Sequence, residues 1–359
     1  MKKRILVICP HPENVVPGQR LKYEQYFNYF RENNIEVHVS SFMTKRFQSI
    51  VYKKGYYFEK FFWTLIGYLI RIKDLFRVPF YDGVYIFLWV TPFGLPFFEK
   101  LFYMFNKHII YDIDDLVFLA PASKANKFIA RLKGKNKMSF LMKHSKHVIT
   151  CTPYLDNYVR KFTESTTDIS STINTDTYIP KNNYSNEQPL VLGWSGSHST
   201  SKYLKLLESV IEQLTKKYSI KIYVIGDPEF KFTNVKVEAI QWNERSEISD
   251  LQKIDIGLYP LPDEEWVYGK SGLKALQYMA LGIPTIASAI GANFRVIEND
   301  ISGYLVTTEN EWYEKIEFLL LNPEIRKRIG EQARLRVENY YSIKANRDTY
   351  LTILKKVLK

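Results

Sequence analysis

The sequence is poor in the groups that make covalent staples and metal cages. It has two cysteines, Cys9 and Cys151, far apart in the chain, and six scattered histidines. That excludes a disulfide framework and a His/Cys metal site of recognisable spacing, and it fits a reducing compartment. Long hydrophobic runs are missing too. The most apolar segment, Phe61–Ile70, is ten residues long, about half of what a bilayer-spanning helix needs. The opening MKKRILVICP has the charged start of a leader, but its apolar run is short and His11, Pro12 and Glu13 break it. It reads as a first strand. Acid is scarce relative to base: 38 Asp and Glu against 50 Lys and Arg, a net charge of +12. Such a balance suits nucleic acid, an anionic membrane surface or phosphorylated substrates.

What is present is enough apolar material for two cores. The 359 residues are 46% hydrophobic, too long for one ordinary domain and sufficient for two. Strand-like runs at Ile5–Cys9, Glu36–Phe42, Gly83–Val90, His108–Asp112 and His147–Thr152 alternate with helix-like segments at Leu21–Glu32, Tyr57–Phe76, Phe97–Phe105 and Tyr154–Phe162. A polar, aperiodic stretch at Ile179–Gln188 reads as a linker. A second series follows, with strands at Leu190–Trp194, Lys221–Ile225, Val235–Ala239, Ile254–Tyr259 and Thr285–Ala287. Its helices are Ser201–Lys217, Ser246–Gln252, Gly272–Ala280, Trp312–Leu320 and Pro323–Tyr340. The rhythm predicts an α/β fold of two Rossmann-like domains. These are an N-terminal one over 1–178, a C-terminal one over 189–340, and a last helix, 341–359, that packs back toward the first.

The densest signal is Tyr259–Val306. There an apolar run meets a Gly-Lys-Ser-Gly turn, an amphipathic helix, and a strand followed by a Gly-Ala-Asn turn. Such turns collect phosphates at the carboxyl edge of a sheet. Ser271, Gly272 and Leu273 can present backbone N–H groups, and Lys270 and Lys274 stand where acids would ordinarily be favoured. The plain alternative is a pair of solvent-facing lysines. A second candidate is GWSGSHSTSKYL, Gly193–Leu204. Its Gly196, Ser197 and Lys202 suit a phosphate, or else form an ordinary capped turn. A third is Gly18 and Arg20, after the first strand, where Gly18 allows close approach and Arg20 could face a donor phosphate or the acceptor. A fourth is YDIDDLVF, Tyr111–Phe118, in which Asp112 and Asp114 would share one side of an extended strand, with Asp115 on the turn. Gly226 ends the strand IYVIGD and allows a base to lie close.

These motifs resemble glycosyltransferase family 4, the retaining two-Rossmann-domain enzymes that use nucleotide sugars, in a bacterial surface-polysaccharide branch. The resemblance implies the glycosyltransferase B fold, with two domains facing each other across a deep cleft. It also implies sugar transfer from a nucleoside diphosphate sugar, UDP or GDP type, without a separate cofactor or metal. The donor would lie on the C-terminal domain and the acceptor on the N-terminal one. The family's two donor-gripping glutamates fall on Gly269 and Gln277. Gln277 keeps the capacity to bond ribose hydroxyls; Gly269 keeps none. Lys202, Lys270 and Lys274 would neutralise the diphosphate, while Asp114 and Asp115 would orient sugar or acceptor hydroxyls.

Two basic stretches bear on the acceptor. Residues 43–80 hold eight Lys or Arg among aromatics, and 122–146 hold eight more with no acid. Both suit an anionic membrane interface. The expected partners are therefore a nucleotide-sugar donor, a lipid-linked or glycan acceptor and the inner face of the cytoplasmic membrane. Much of Phe61–Ile70 is expected in the core. A catalytically silent binding protein, a sugar-nucleotide epimerase and a nucleic-acid binder are the rivals, and no nucleic-acid module signature is present.

Overall fold

The computed structural model describes residues 2–116, 135–180, 184, 187 and 189–358. It divides into two compact units, one of 1–171 with 346–359, the other of 172–345. The chain leaves the first unit at Ser171, ahead of the polar stretch that the sequence suggested as the linker.

In the first unit the chain runs β1 (Lys3–Cys9), α1 (Pro17–Arg20), α2 (Phe27–Glu32), β2 (Ile35–Ser41), α3 (Lys45–Ile50), α4 (Tyr57–Arg77), β3 (Gly83–Phe87) and α5 (Phe97–Phe105). It continues through β4 (Ile109–Asp112), α6 (Lys135–His144), β5 (His147–Thr150), α7 (Pro153–Val159) and β6 (Thr166–Asp168). The strands form one parallel sheet in the order β2-β1-β3-β4-β5-β6. Strands β3, β4 and β5 are buried along their whole length, as a sheet covered on both faces requires.

The second unit runs β7 (Leu190–Ser195), α8 (Glu208–Lys217), β8 (Ile220–Ile225), β9 (Val237–Ile240), α9 (Glu247–Leu251), β10 (Ile256–Tyr259), α10 (Leu273–Ala280) and β11 (Thr285–Ser288). Then come α11 (Asn293–Val296), β12 (Tyr304–Val306), α12 (Glu309–Leu321) and α13 (Pro323–Arg336). The sheet order is β12-β11-β10-β7-β8-β9, again all parallel. A final helix, α14 (Ile343–Val357), sets Tyr350 in the first unit, its ring 4.5 Å from that of Tyr26. No described helix is long and apolar enough to cross a membrane.

Both sheets are doubly wound. The second starts in β7, grows through β8 and β9 on one side, then crosses to β10 on the other. The reversal leaves a crevice at the carboxyl ends of β7 and β10, where such sheets hold ligands.

Candidate functional site

The loops after β7 and β10 carry the residues singled out in the sequence. After β7, Gly196 lies backbone to backbone with Gly226, at the end of β8. Gly226 has φ +107°, and a Cβ there would stand 1.8 Å from the Gly196 carbonyl oxygen. Only glycine tolerates both demands. The turn that follows is rich in hydroxyls. Ser197 Oγ is 2.8 Å from Ser199 Oγ and 3.3 Å from Thr200 Oγ1. Beneath it, buried Asp227 accepts from Ser201 Oγ at 2.5 Å and pairs with His198 Nδ1 at 3.1 Å. Burial pushes the Asp227 carboxyl up, but the bonds from Ser201 and His198 outweigh it and hold the group below its ordinary range. The same hydrogen bond and charge raise His198.

After β10, a one-turn 3-10 helix, Glu265–Gly269, leads to the Lys270–Lys274 segment. Gly272 caps α10 in the left-handed region, φ +77°, and a Cβ there would stand 2.9 Å from Val296. The helix opens with no side-chain cap and no acid in its first turn. Ser271, Leu273 and Lys274 are half-buried.

The two loops meet through an aromatic pair. The Tyr203 and Trp266 rings are 5.5 Å apart, Lys202 Nζ lies 5.1 Å from the Tyr203 ring, and Lys270 Nζ lies 5.1 Å from the Trp266 ring. Two lysines distant in sequence thus each lie against one ring of a single aromatic pair. Sequence reasoning had the lysines and missed Tyr203 and Trp266, whose only signal was a Trp in the loop before Gly269.

Gln277 turns into the protein. It is buried, its Nε2 donates to Tyr178 Oη at 3.0 Å and to Glu247 Oε1 at 3.1 Å, and its Oε1 has no hydrogen-bond partner. Glu247 also accepts from Trp242 Nε1 and from Tyr178 Oη, each at 3.1 Å. Glu247, Tyr178 and Trp242 were missed as well.

In the first unit, Gly18 sits in α1 beside Asp114; a Cβ on it would lie 3.5 Å from Asp114 Oδ2. Arg20 ends the same helix. Asp115 Oδ1 accepts from the Leu116 N–H at 2.8 Å. Asp112 ends β4 and is committed to the core. It is fully buried, accepts from the Tyr85 hydroxyl and lies 3.7 Å from Lys22 Nζ. Burial raises its carboxyl, opposed by Lys22 and Tyr85. Lys22 also donates to the Thr150 carbonyl at 3.0 Å and to that of Ile169. Among the described residues no three His, Cys, Asp or Glu side chains converge as a metal cage.

The basic stretches are only partly surface. Arg71 and Lys137 are buried. Lys137 donates to the Thr91 hydroxyl and Phe93 carbonyl, each at 2.6 Å, and stands 3.8 Å from buried Glu99. Lys124, Lys127, Arg131 and Lys133 lie outside the described residues, as do Val117 and Phe118.

Residues 176–336 match the family model described as glycosyl transferases group 1. A trehalose synthase of Pyrococcus horikoshii is 36% identical over 84 residues, 23% of this chain and 20% of that protein. The chain thus spans about a fifth of the length of that curated relative. Whole-chain likeness is found among solved structures. Sucrose-phosphate synthase from Thermosynechococcus elongatus superposes with a TM-score of 0.73 at 16% identity, covering 99% of both chains. Anabaena HepE in complex with UDP-glucose does so at 0.68 and 13%, covering 98% of this chain and 99% of the other. At these identities the likeness is one of fold: two Rossmann-like units, as in the glycosyltransferase B class.

Proposed function

We propose that this protein is a retaining glycosyltransferase that moves a sugar from a nucleoside diphosphate sugar to a lipid-linked or glycan acceptor in surface polysaccharide synthesis. The observation that carries the reading is the lysine-flanked Tyr203–Trp266 pair at the switch point of the second sheet. The match of 176–336 to group 1 glycosyl transferases supports it, as does a fold-mate that binds UDP-glucose.

In this reading Gly196 and Gly226 let the diphosphate approach the backbone. Lys202, Lys270 and Lys274, with the N–H groups of Ser271, Gly272 and Leu273 and the Ser197 hydroxyl, take up the charge that develops on the leaving phosphate. The bond between the anomeric carbon and the phosphate oxygen breaks. The acceptor oxygen bonds to that carbon on the same face, and its proton passes to the departing phosphate. Nucleoside diphosphate and glycoside are the products, and no metal is required. Gly18, Arg20, Asp114 and Asp115 serve the acceptor side. The donor is a UDP or GDP hexose, and the protein works peripherally on the inner, anionic face of the cytoplasmic membrane.

A melting-transition screen with UDP, GDP and their hexose derivatives tests the donor claim. A nucleotide sugar that binds the folded state must raise the transition by mass action. No shift at concentrations on the order of millimolar would remove the donor site. Gly269, where a sugar-contacting carboxylate is expected, favours one alternative: a silent nucleotide-sugar binder. That alternative predicts a shift with no release of nucleoside diphosphate in the presence of membrane glycolipid acceptors.

A further inference from the structure

Helix α4 is amphipathic the wrong way round for a core helix. Its buried residues are Gly67, Arg71 and Asp74. Gly67 lets the backbone close on the Phe42 ring, which a Cβ would meet at 2.5 Å. Arg71 donates to the Val90 and Cys9 carbonyls, each at 2.8 Å, and to Asp74 at 3.0 Å. Asp74 also accepts from Ser40 Oγ at 2.6 Å. The apolar stripe points outward instead. Phe58, Phe61, Leu65, Leu69, Ile72 and Phe76 follow one another at helical spacing and are between 43% and 82% exposed. Helix α5 adjoins α4: the Phe98 ring is 5.7 Å from that of Tyr68, whose hydroxyl donates to the Phe93 carbonyl at 3.0 Å. It and the turn before it add exposed Leu95, Phe97 and Met104. An apolar surface of this extent on a folded chain marks an interaction site.

Charge selects the occupant. The acids of the two helices are withdrawn: Asp74 and Glu99 are buried, and Glu59 is tied to Arg46 at 2.9 Å. Lys53, Lys54, Lys73 and Lys100 remain exposed. A second copy of the chain would bring this cationic rim against itself in a two-fold contact. An anionic bilayer meets both features, taking the apolar side chains at the headgroup boundary and the lysines at the lipid phosphates.

We propose that the α4–α5 face docks on anionic lipid, with α4 lying in the plane of the interface and its outward stripe inserted. This specifies the peripheral-membrane part of the function proposed above. Its test uses no nucleotide, so the docking face and the donor site can fail independently.

The full chain is floated with vesicles of phosphatidylcholine alone and of phosphatidylcholine mixed with phosphatidylglycerol. It is expected to float with the anionic vesicles. Changing Leu65→Glu and Leu69→Glu together should lower that partition by on the order of a hundredfold. Changing Lys53, Lys54 and Lys73 to Ala should do the same and remove the preference for phosphatidylglycerol. All five positions are exposed, so the melting transition serves as the folding control. Flotation of the Leu65/Leu69 variant at wild-type levels, or no flotation by the wild type, overturns the proposal. So does a dimer in light scattering that the Leu65/Leu69 variant abolishes while neither protein floats.

Discussion

Two pairs of lysines in this molecule have opposite surroundings. Lys22 and Lys137, in the first unit, are buried against carbonyl oxygens and beside a buried acid, Asp112 and Glu99 respectively. Their charge is consumed by the fold. Lys202 and Lys270, in the second unit, rest on the Tyr203 and Trp266 rings. A ring face attracts a cation through its charge, whereas carbonyl oxygens and a buried acid engage an ammonium's donors directly. The two pairs differ in surroundings, not in residue type, and the function proposed above gives the donor only to the second.

The largest effect that sharpens this contrast is on stability. Lys22→Met leaves Asp112 buried without its cation and should cost about 3–5 kcal/mol. The double change with Asp112→Leu should recover much of that loss. Urea denaturation monitored separately for each unit reads it, since two units need not unfold together. A Lys22→Met protein as stable as wild type would make Lys22 and Lys202 alike and break the comparison.

A smaller effect is expected at the buried amide. Gln277→Leu strips a donor from both Glu247 and Tyr178 and should cost about 1–3 kcal/mol. Gln277→Glu sets two carboxylates against each other and should be worse. Adding Glu247→Gln restores one amide and one carboxylate, and with them most of the stability. Melting transitions of the three variants decide whether the pair is exchangeable.

The smallest effect is one of pH. His198 titrates above its ordinary value because of Asp227, so its positive charge is present at low pH and lost as pH rises through the raised value. Affinity for a nucleotide sugar, whose diphosphate diester does not titrate there, should fall as pH rises through that raised value. In His198→Gln it should stay flat. An identical pH profile in wild type and variant would show that the His198 charge does not act on the bound diphosphate.

Much of the scaffold was legible because buried parallel strands are short apolar runs. The central strands of both sheets start and end close to where the sequence suggested. The edge strands β6, Thr166–Asp168, and β12, Tyr304–Val306, were not seen; three residues carry too little pattern. The expected continuous helix over Leu21–Glu32 is broken by a 3-10 turn at Glu24–Tyr26. Lys22, Tyr23, Glu24 and Tyr26 are all buried there, and tertiary packing overrides local periodicity. The sequence marked α4 as apolar, aromatic and basic, suited to a membrane interface, but expected much of Phe61–Ile70 in the core, where only Gly67 of that run is buried. Nothing local says that an Arg71–Asp74 pair will face the sheet instead. The lysines and glycines of the candidate site were readable from turn chemistry. Tyr203, Trp266, Tyr178 and Glu247 were not, because each acts through a partner far away in sequence.

The central claim is that Lys202 and Lys270 hold one diphosphate between them. Calorimetric titration of UDP and GDP, with their hexose derivatives, into wild type, Lys202→Ala, Lys270→Ala and the double variant tests it most directly. Each single change should weaken binding by roughly tenfold to a hundredfold. The double should lose less than the sum, because the lysines share one anion, and all four proteins should melt within about 0.5 kcal/mol of one another. Unchanged affinity in the double variant would contradict the account.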